Sequence, residues 1–329
     1  MGMQELQVTV LGPANTGKTT LLTAMYEQFE KNIKSVNLEL TPDDDTSCLL
    51  QDRLIELKSA FESFESRGRA GLEGTEASAG VGSLKSFDFG LGKKQSKPSL
   101  RLSFRDYPGA YHNTNSSKEE KQFIKRLLRE SAAVLIPIDA TALMEEKGKY
   151  HERINRPQQI KDLFKKAYIG LESPRLIILA PVKCEKYLQD DKAAEELTKR
   201  VKEGYQVLLD YLDSSELKSQ IAIVVTPVQT VGGLVFSRIE VDENNIPDFY
   251  FRKIRHDAKY EPKDSEQPLR YLLSFLLKLH LQHKNTGFFS FIREWIGSDD
   301  HLKRAIKEFS RGCKTSGGFT VLEGQRWLS

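Results

Sequence analysis

The sequence predicts an α/β chain: a doubly wound, mostly parallel sheet with helices on both faces and one antiparallel edge hairpin. Three observations predict it. Residues 6–20, LQVTVLGPANTGKTT, read as a strand, a glycine-bounded loop and the opening of a helix. Three later apolar runs, AAVLIPIDA, PRLIILAPV and IAIVVTPV, are continuous rather than alternating, as strands buried on both faces of a parallel sheet must be. Helix-like spacers at about 157–170 and 190–212 separate those runs, and alternation of strand with helix is the signature of this layer architecture.

The first loop is a phosphate-binding pattern. Gly12, Gly17, Lys18 and Thr19 fill G-x-x-x-x-G-K-[ST], a spacing that turns successive backbone N–H groups inward around a polyphosphate. Asn15, Thr16 and Thr20 complete the expected cradle. The two glycines permit torsions and close approach that a Cβ would obstruct, and Lys18 can reach the outer phosphates as a point charge. Thr19 offers a hydroxyl to Mg²⁺. The following helix, TTLLTAMYEQFEK, would aim its unpaired N–H groups and positive dipole end at the anion.

In chain order, a second helix is expected over residues 46–66, where Leu49, Leu50, Leu54, Leu57, Phe61 and Phe64 recur at helical intervals. Asp43, Asp44 or Asp45 would cap it. Residues 67–83 shift to Gly, Ala, Ser and Glu, a composition with too little apolar surface to order itself, and are expected to form a mobile loop. KSFDFGLG and SLRLSFRD then alternate around the turn-rich KKQSKP, as the strands of an antiparallel hairpin do. A helix is expected over 118–131, and two further alternating strands at about 234–254 would add a hairpin at the sheet edge. The apolar LRYLLSFLLKLHLQHK reads as the last helix of the domain. The expected division is a nucleotide domain over 1–284, with an insertion at about 41–83, and a helical appendage over 285–329.

Composition narrows the function classes. With 39% hydrophobic and 29% charged residues this is a globular composition, and no run approaches the roughly 18 apolar residues of a membrane span. A formal net charge of +3 over 329 residues gives no electrostatic case for nucleic-acid binding. Cys48, Cys184 and Cys313 are too dispersed for a disulfide framework or a zinc spacing, and no charged-then-apolar leader precedes the first strand, so a cytoplasmic protein is expected.

A second motif follows the hairpin. Asp106-Tyr107-Pro108-Gly109 places D-x-x-G at a strand end, where Asp106 can reach Mg²⁺ through water and the Gly109 N–H can touch a γ-phosphate; an ordinary Asp–Gly turn is the alternative. With these residues the chain resembles the translation-factor-like class of P-loop GTPases, the class of Ras and the elongation factors. The resemblance spans about 4–282 in strand order. It implies a P-loop NTPase fold, GTP or GDP as ligand, Mg²⁺ as cofactor and hydrolysis coupled to a protein effector or activating partner. Where the class has N-K-x-D, this chain has Val182-Lys183-Cys184-Glu185. Lys183 could cover the base with its stem and Glu185 could accept from guanine, while Val182 cannot supply the usual asparagine hydrogen bonds; ordinary loop charges are the other reading, and ATP stays open as ligand.

The resemblance also implies a switch threonine before the first hairpin strand. Thr75 is the candidate for that metal and catalytic role, with Ser78 and Ser83 as rivals. After D-x-x-G the class often orients water with Gln or His, and here stands Ala110; His112 or Tyr111 could reach in, and a solvated His112 is the plainer reading. The DYPGAYH turn, the VKCEK variant and PKDSEQPLRYLLSFLL are also similar to bacterial double-GTPase proteins of conflict or defence gene clusters. The expected function is a slow, Mg²⁺-dependent GTPase switch. A non-hydrolysing nucleotide-gated module and an ATP-using NTPase or kinase are the alternatives. The aromatic segment with Phe288, Phe289, Phe291, Ile292, Trp295 and Ile296 is expected to pack on its own domain, with partner binding second and membrane contact third. Oligomeric state is not legible.

Overall fold

The computed structural model describes residues 3–33, 36–67, 85–106, 118–243, 245–281, 295–296 and 300–328. Its centre is an eight-stranded sheet. β1 (Gln4–Val10) runs parallel to β5 (Leu100–Asp106) on one side and to β6 (Ala133–Asp139) on the other. β7 (Arg175–Val182) and β8 (Ile221–Val225) continue the parallel array beyond β6. On the β5 side the sheet turns antiparallel through β4 (Lys85–Gly92) and then β2 (Glu39–Pro42).

Successive residues of the parallel strands point to opposite faces, and both faces are covered, which is why the runs are apolar throughout. Leu135, Ile178 and Val224 face one layer with Leu6, Val8 and Val10. That layer holds α1 (Lys18–Asn32), through Leu22, Met25 and Phe29, and α9 (Gln267–Leu281), through Leu272, Phe275 and Leu276. Val134, Ile136, Ile177, Leu179 and Ile223 face the other. There they meet α3 (Lys118–Glu130), α6 (Pro157–Ala167), α7 (Asp191–Gly204) and α8 (Gln206–Leu212).

Several elements differ from the sequence expectation. The second helix, α2 (Asp44–Ser59), is capped by Asp43, whose carboxylate accepts from Thr46 N–H at 2.9 Å, and it stops well before Ser66. The chain turns after Ser59 and forms a short strand, β3 (Glu65–Arg67). Phe61, which continued the helical spacing, is buried instead in a satellite cluster with Leu234, Phe249 and Phe251. β9 (Leu234–Val241) and β10 (Pro247–Lys253) are indeed a hairpin, but they do not extend the main sheet. They pair with β3 in a separate three-stranded sheet of order β3-β10-β9. The expected helix over 190–212 is broken at Tyr205 into α7 and α8.

Residues 300–328, expected as a helical appendage, contribute more than a helix. α10 (Asp300–Ser310) buries Ile306 and Phe309 in the main core, with the Phe309 ring 5.1 Å from that of Phe29 in α1. β11 (Thr320–Glu323) then pairs antiparallel with β8 and closes that sheet edge. Trp295 and Ile296 are buried in the same core, and Trp295 Nε1 donates to Ser99 Oγ at 2.8 Å. Phe288, Phe289, Phe291 and Ile292 lie outside the described residues, as does nearly all of the glycine-rich loop over 67–83. Among the described residues no helix is long and apolar enough to cross a membrane.

Candidate functional site

β1 sits where the strand order reverses, between β5 and β6, and the crevice beyond the carboxyl ends of such strands is where α/β sheets bind ligands. The register brings the motifs together there. Val10 lies directly opposite Asp106 of β5, so the loop leaving β1 and the acid ending β5 share one strand end. Leu11 N–H donates to Leu135 O at 2.9 Å and ties the loop's first residue to β6.

The loop is shaped by its own residues. Gly17 has a φ of 92°, and a Cβ there would meet Val182 Cγ2 at 3.2 Å. Only glycine takes that torsion without strain, and Val182 packs against it. At Gly12 a Cβ would lie 3.0 Å from Thr16 Oγ1, the hydroxyl that pins the loop by donating to Pro13 O at 2.9 Å. Asn15 occupies the left-handed region that asparagine tolerates, with a φ of 64°.

Lys18 opens α1 and turns back into the loop. Its Nζ donates to Gly12 O at 3.2 Å and Pro13 O at 3.0 Å, and its side chain is 6% exposed. Asp106 faces it, with Oδ1 4.0 Å from Nζ, and Thr19 Oγ1 donates to Asp106 Oδ2 at 3.4 Å. Asp106 Oδ1 has no hydrogen-bond partner among the described residues. Burial pulls the Lys18 ammonium below its ordinary range, opposed by the Asp106 charge. Burial likewise pushes the Asp106 carboxyl up, opposed by Lys18 and by the Thr19 hydrogen bond. Each charge is thus costly where it sits, and the 4.0 Å pair leaves hydrogen-bonding capacity on both sides. An orphaned buried carboxylate oxygen beside a threonine hydroxyl is the donor set a hard cation takes, so Thr19 and Asp106 fit Mg²⁺.

The side of the crevice at the ends of β6 and β7 is built differently. Lys183, with a left-handed φ of 56°, donates to Asn15 O at 3.1 Å and pairs with Asp139 Oδ2 at 2.6 Å. It therefore couples the phosphate loop to the end of β6. Glu185 is buried, and its Oε1 accepts from the N–H groups of Val231 and Gly232, each at 3.1 Å. Burial raises its pKa, those N–H groups acting in the opposite sense. Cys184 between them is buried and its thiol contacts Val228 O at 3.1 Å.

Sequence reasoning missed a buried chain that continues from Asp139. Asp139 caps the short helix α4 (Ala140–Met144) through Ala142 N–H at 3.0 Å. Its own backbone N–H and C=O are both met by the Asn155 amide, at 2.8 and 3.1 Å. That arrangement fixes Asn155 Nδ2 as the donor to His151 Nδ1 at 3.0 Å, so His151 Nε2–H donates to Gly204 O, also at 3.0 Å. Asp139 was visible only as the acid ending an apolar strand. Thr75, Gly109, His112, Tyr111 and Ala110 lie outside the described residues.

No family model matches the chain, and neither does any curated protein. Among solved structures it is similar to the S. cerevisiae Ski7 GTPase-like domain bound to GDP and inorganic phosphate, at 15% identity and a TM-score of 0.40, over 86% of this chain and 51% of that one. The same domain bound to GTP matches at 15% identity and 0.37, over 68% and 43%. Sup35 complexed with GDP matches at 12% and 0.31, over 70% and 38%. This chain spans about half or less of the length of those chains. At such identities and TM-scores the likeness carries no argument about activity.

Proposed function

We propose that this chain binds a Mg²⁺-nucleoside triphosphate, GTP before ATP, in the loop over residues 12–20, hydrolyses it slowly and serves as a nucleotide-state switch for a protein partner. One observation carries the reading: Lys18, opening the helix after the β1 loop, and Asp106, ending the adjoining parallel strand β5, are both buried beside Thr19 with capacity left for a ligand.

Lys18 would move from the loop carbonyls to the outer phosphates, and the N–H groups of the first turn of α1 would hold the inner ones. Thr19 and Asp106 would hold Mg²⁺, which when bound neutralises charge on the phosphate oxygens. In the hydrolysis step water attacks the γ-phosphorus in line, the bond from that phosphorus to the bridging oxygen breaks, and the nucleoside diphosphate, phosphate and a proton result. On sequence grounds Thr75 completes the metal site and Gly109 senses the γ-phosphate, with His112 the chain's own candidate near the water. Ala110 stands where the water-orienting side chain of the resembled class belongs, so turnover by the chain alone is slow and a partner supplies the missing group. The narrower resemblance to double-GTPase proteins points to a partner encoded in the same gene cluster.

A second reading, relaxed base choice with ATP as a working substrate, is favoured by Glu185, whose Oε1 already accepts two backbone N–H groups. Competition of GTP and ATP for the full chain, followed by multiple-turnover phosphate release, separates the readings. The expected result is Mg²⁺-dependent binding that favours GTP by a modest factor, with slow release of phosphate. Equal binding of both nucleotides would support the second reading, and absence of release would leave a nucleotide-gated module.

A further inference from the structure

The phosphate loop's own cation is Lys18, and α2 brings a second one to the same helix end. α2 is held firmly. Asp43 caps it, Asp43 N–H donates to Asp88 O at 3.0 Å, Thr46 Oγ1 accepts Asp88 N–H at 2.8 Å, and Leu50 and Leu57 are buried. From its middle, Arg53 lays its guanidinium against the first turn of α1, where Nη2 donates to Thr20 Oγ1 at 3.2 Å. Thr20 follows the candidate metal ligand Thr19 directly. Arg53 is 12% exposed along its side chain, and its Nε is buried with no hydrogen-bond partner among the described residues. Among the described residues its ion-pair partner is Glu56, through Nη1, and that carboxylate is half-exposed.

This is an unfavourable place for a cation unless an anion joins it. The N-terminus of α1 carries positive dipole charge, Lys18 adds another that Asp106 at 4.0 Å offsets in part, and a half-solvated Glu56 offsets little of the rest. A planar guanidinium with an unused N–H fits two phosphate oxygens at once, as an ammonium does not.

Resting on the triphosphate reading above, we propose that Arg53 is a phosphate-contacting residue supplied by the chain itself, its guanidinium passing from the Thr20 hydroxyl to the phosphates of the bound nucleotide. It supplies charge and leaves the water-orienting role to other groups, so hydrolysis is slow but depends on Arg53.

The experiment compares the full parent chain with Arg53→Ala and Arg53→Lys, using GTP with Mg²⁺ as the probe. Equilibrium affinity, single-turnover phosphate release and ligand-free melting are read together. Arg53→Ala is expected to weaken GTP about tenfold and to slow phosphate release by about 10² or more, in the direction that removal of a supplied arginine gives. Its ligand-free melting temperature stays at or above the parent's. Arg53→Lys keeps the charge without the fork and is expected to recover only part of both. A lowered melting temperature with unchanged affinity and release would make Arg53 a tether between α2 and α1 and overturn the assignment. Should Arg53→Ala melt too low to assay, Arg53→Lys decides, since a tether role predicts no loss and a phosphate contact predicts at least a threefold one. If the parent binds GTP and both variants match it, the Arg53 assignment falls alone. If the parent binds no triphosphate, the proposed function falls first.

Discussion

The two ends of the candidate site differ in how far the chain satisfies its own polar groups. At the phosphate end, Asp106 Oδ1 and Arg53 Nε are buried without hydrogen-bond partners among the described residues, and the Lys18 ammonium rests on two loop carbonyls. At the base end, Glu185 and Lys183 are each committed, one to the N–H groups of Val231 and Gly232, the other to Asn15 O and Asp139. Buried groups left unmet cost free energy that a ligand can recover, whereas groups already paired give up a partner to take one. On the proposed reading, this difference predicts tight recognition of phosphate and metal with shallow discrimination between bases.

The largest effect should follow from breaking the open end. Asp106→Asn removes the charge from the candidate metal position and is expected to weaken Mg²⁺-dependent GTP binding by about 10²-fold, roughly one charge-assisted hydrogen bond's worth, by calorimetry. An affinity within threefold of the parent would deny Asp106 a ligand role. At the closed end, Glu185→Ala should leave two buried N–H groups unmet and lower unfolding stability by about 2 kcal/mol in denaturant titration, while the GTP to ATP affinity ratio moves less than about threefold. A tenfold fall in that ratio would instead make Glu185 a base-reading group. Lys183→Met sits between the ends. It keeps the aliphatic stem but unties Asn15, and a loss of triphosphate affinity of about three- to tenfold is expected, equal for GTP and ATP.

The smallest effect concerns the buried chain behind Lys183. Burial lowers the His151 pKa, and Asn155 donates to the nitrogen that would take the proton. A group whose folded pKa is depressed contributes stability that is present above its unfolded value of about 6.5 and is lost as pH falls through the folded pKa. The melting temperature should therefore fall on acidification below about pH 6.5, and His151→Gln should flatten part of that slope. An unchanged slope in the variant would remove His151 from the acid response.

Much of the phosphate end was legible in sequence because its chemistry is local: Gly12, Gly17, Lys18 and Thr19 lie within eight residues. Asp106 was legible because it ends an alternating strand. The continuous apolar runs gave the parallel sheet, since burial on both faces leaves no polar period. What was not legible depends on distant partners. Arg53 meets Thr20 across 33 residues, and Glu185 meets Val231 and Gly232 across 46 and 47. Neither pairing leaves a periodic trace. β3 was hidden because Phe61 and Phe64 extend the helical spacing of α2, and a three-residue strand has no period of its own. β11 is nearly as short, a four-residue edge strand after Gly317 and Gly318.

The central claim is that the Lys18 and Asp106 constellation is a phosphate and metal site, and thermal unfolding of the full chain with and without nucleotide tests it most directly. A ligand that binds only the folded state adds about 2.7 kcal/mol at 100 times its Kd, a shift readily seen by melting. The melting temperature should rise with GTP and Mg²⁺ together, much less with GTP and a chelator, and not with Mg²⁺ alone. Lys18→Ala should still unfold cooperatively and show no rise. No shift of the parent at millimolar GTP and Mg²⁺, or an equal shift in Lys18→Ala, would contradict the assignment.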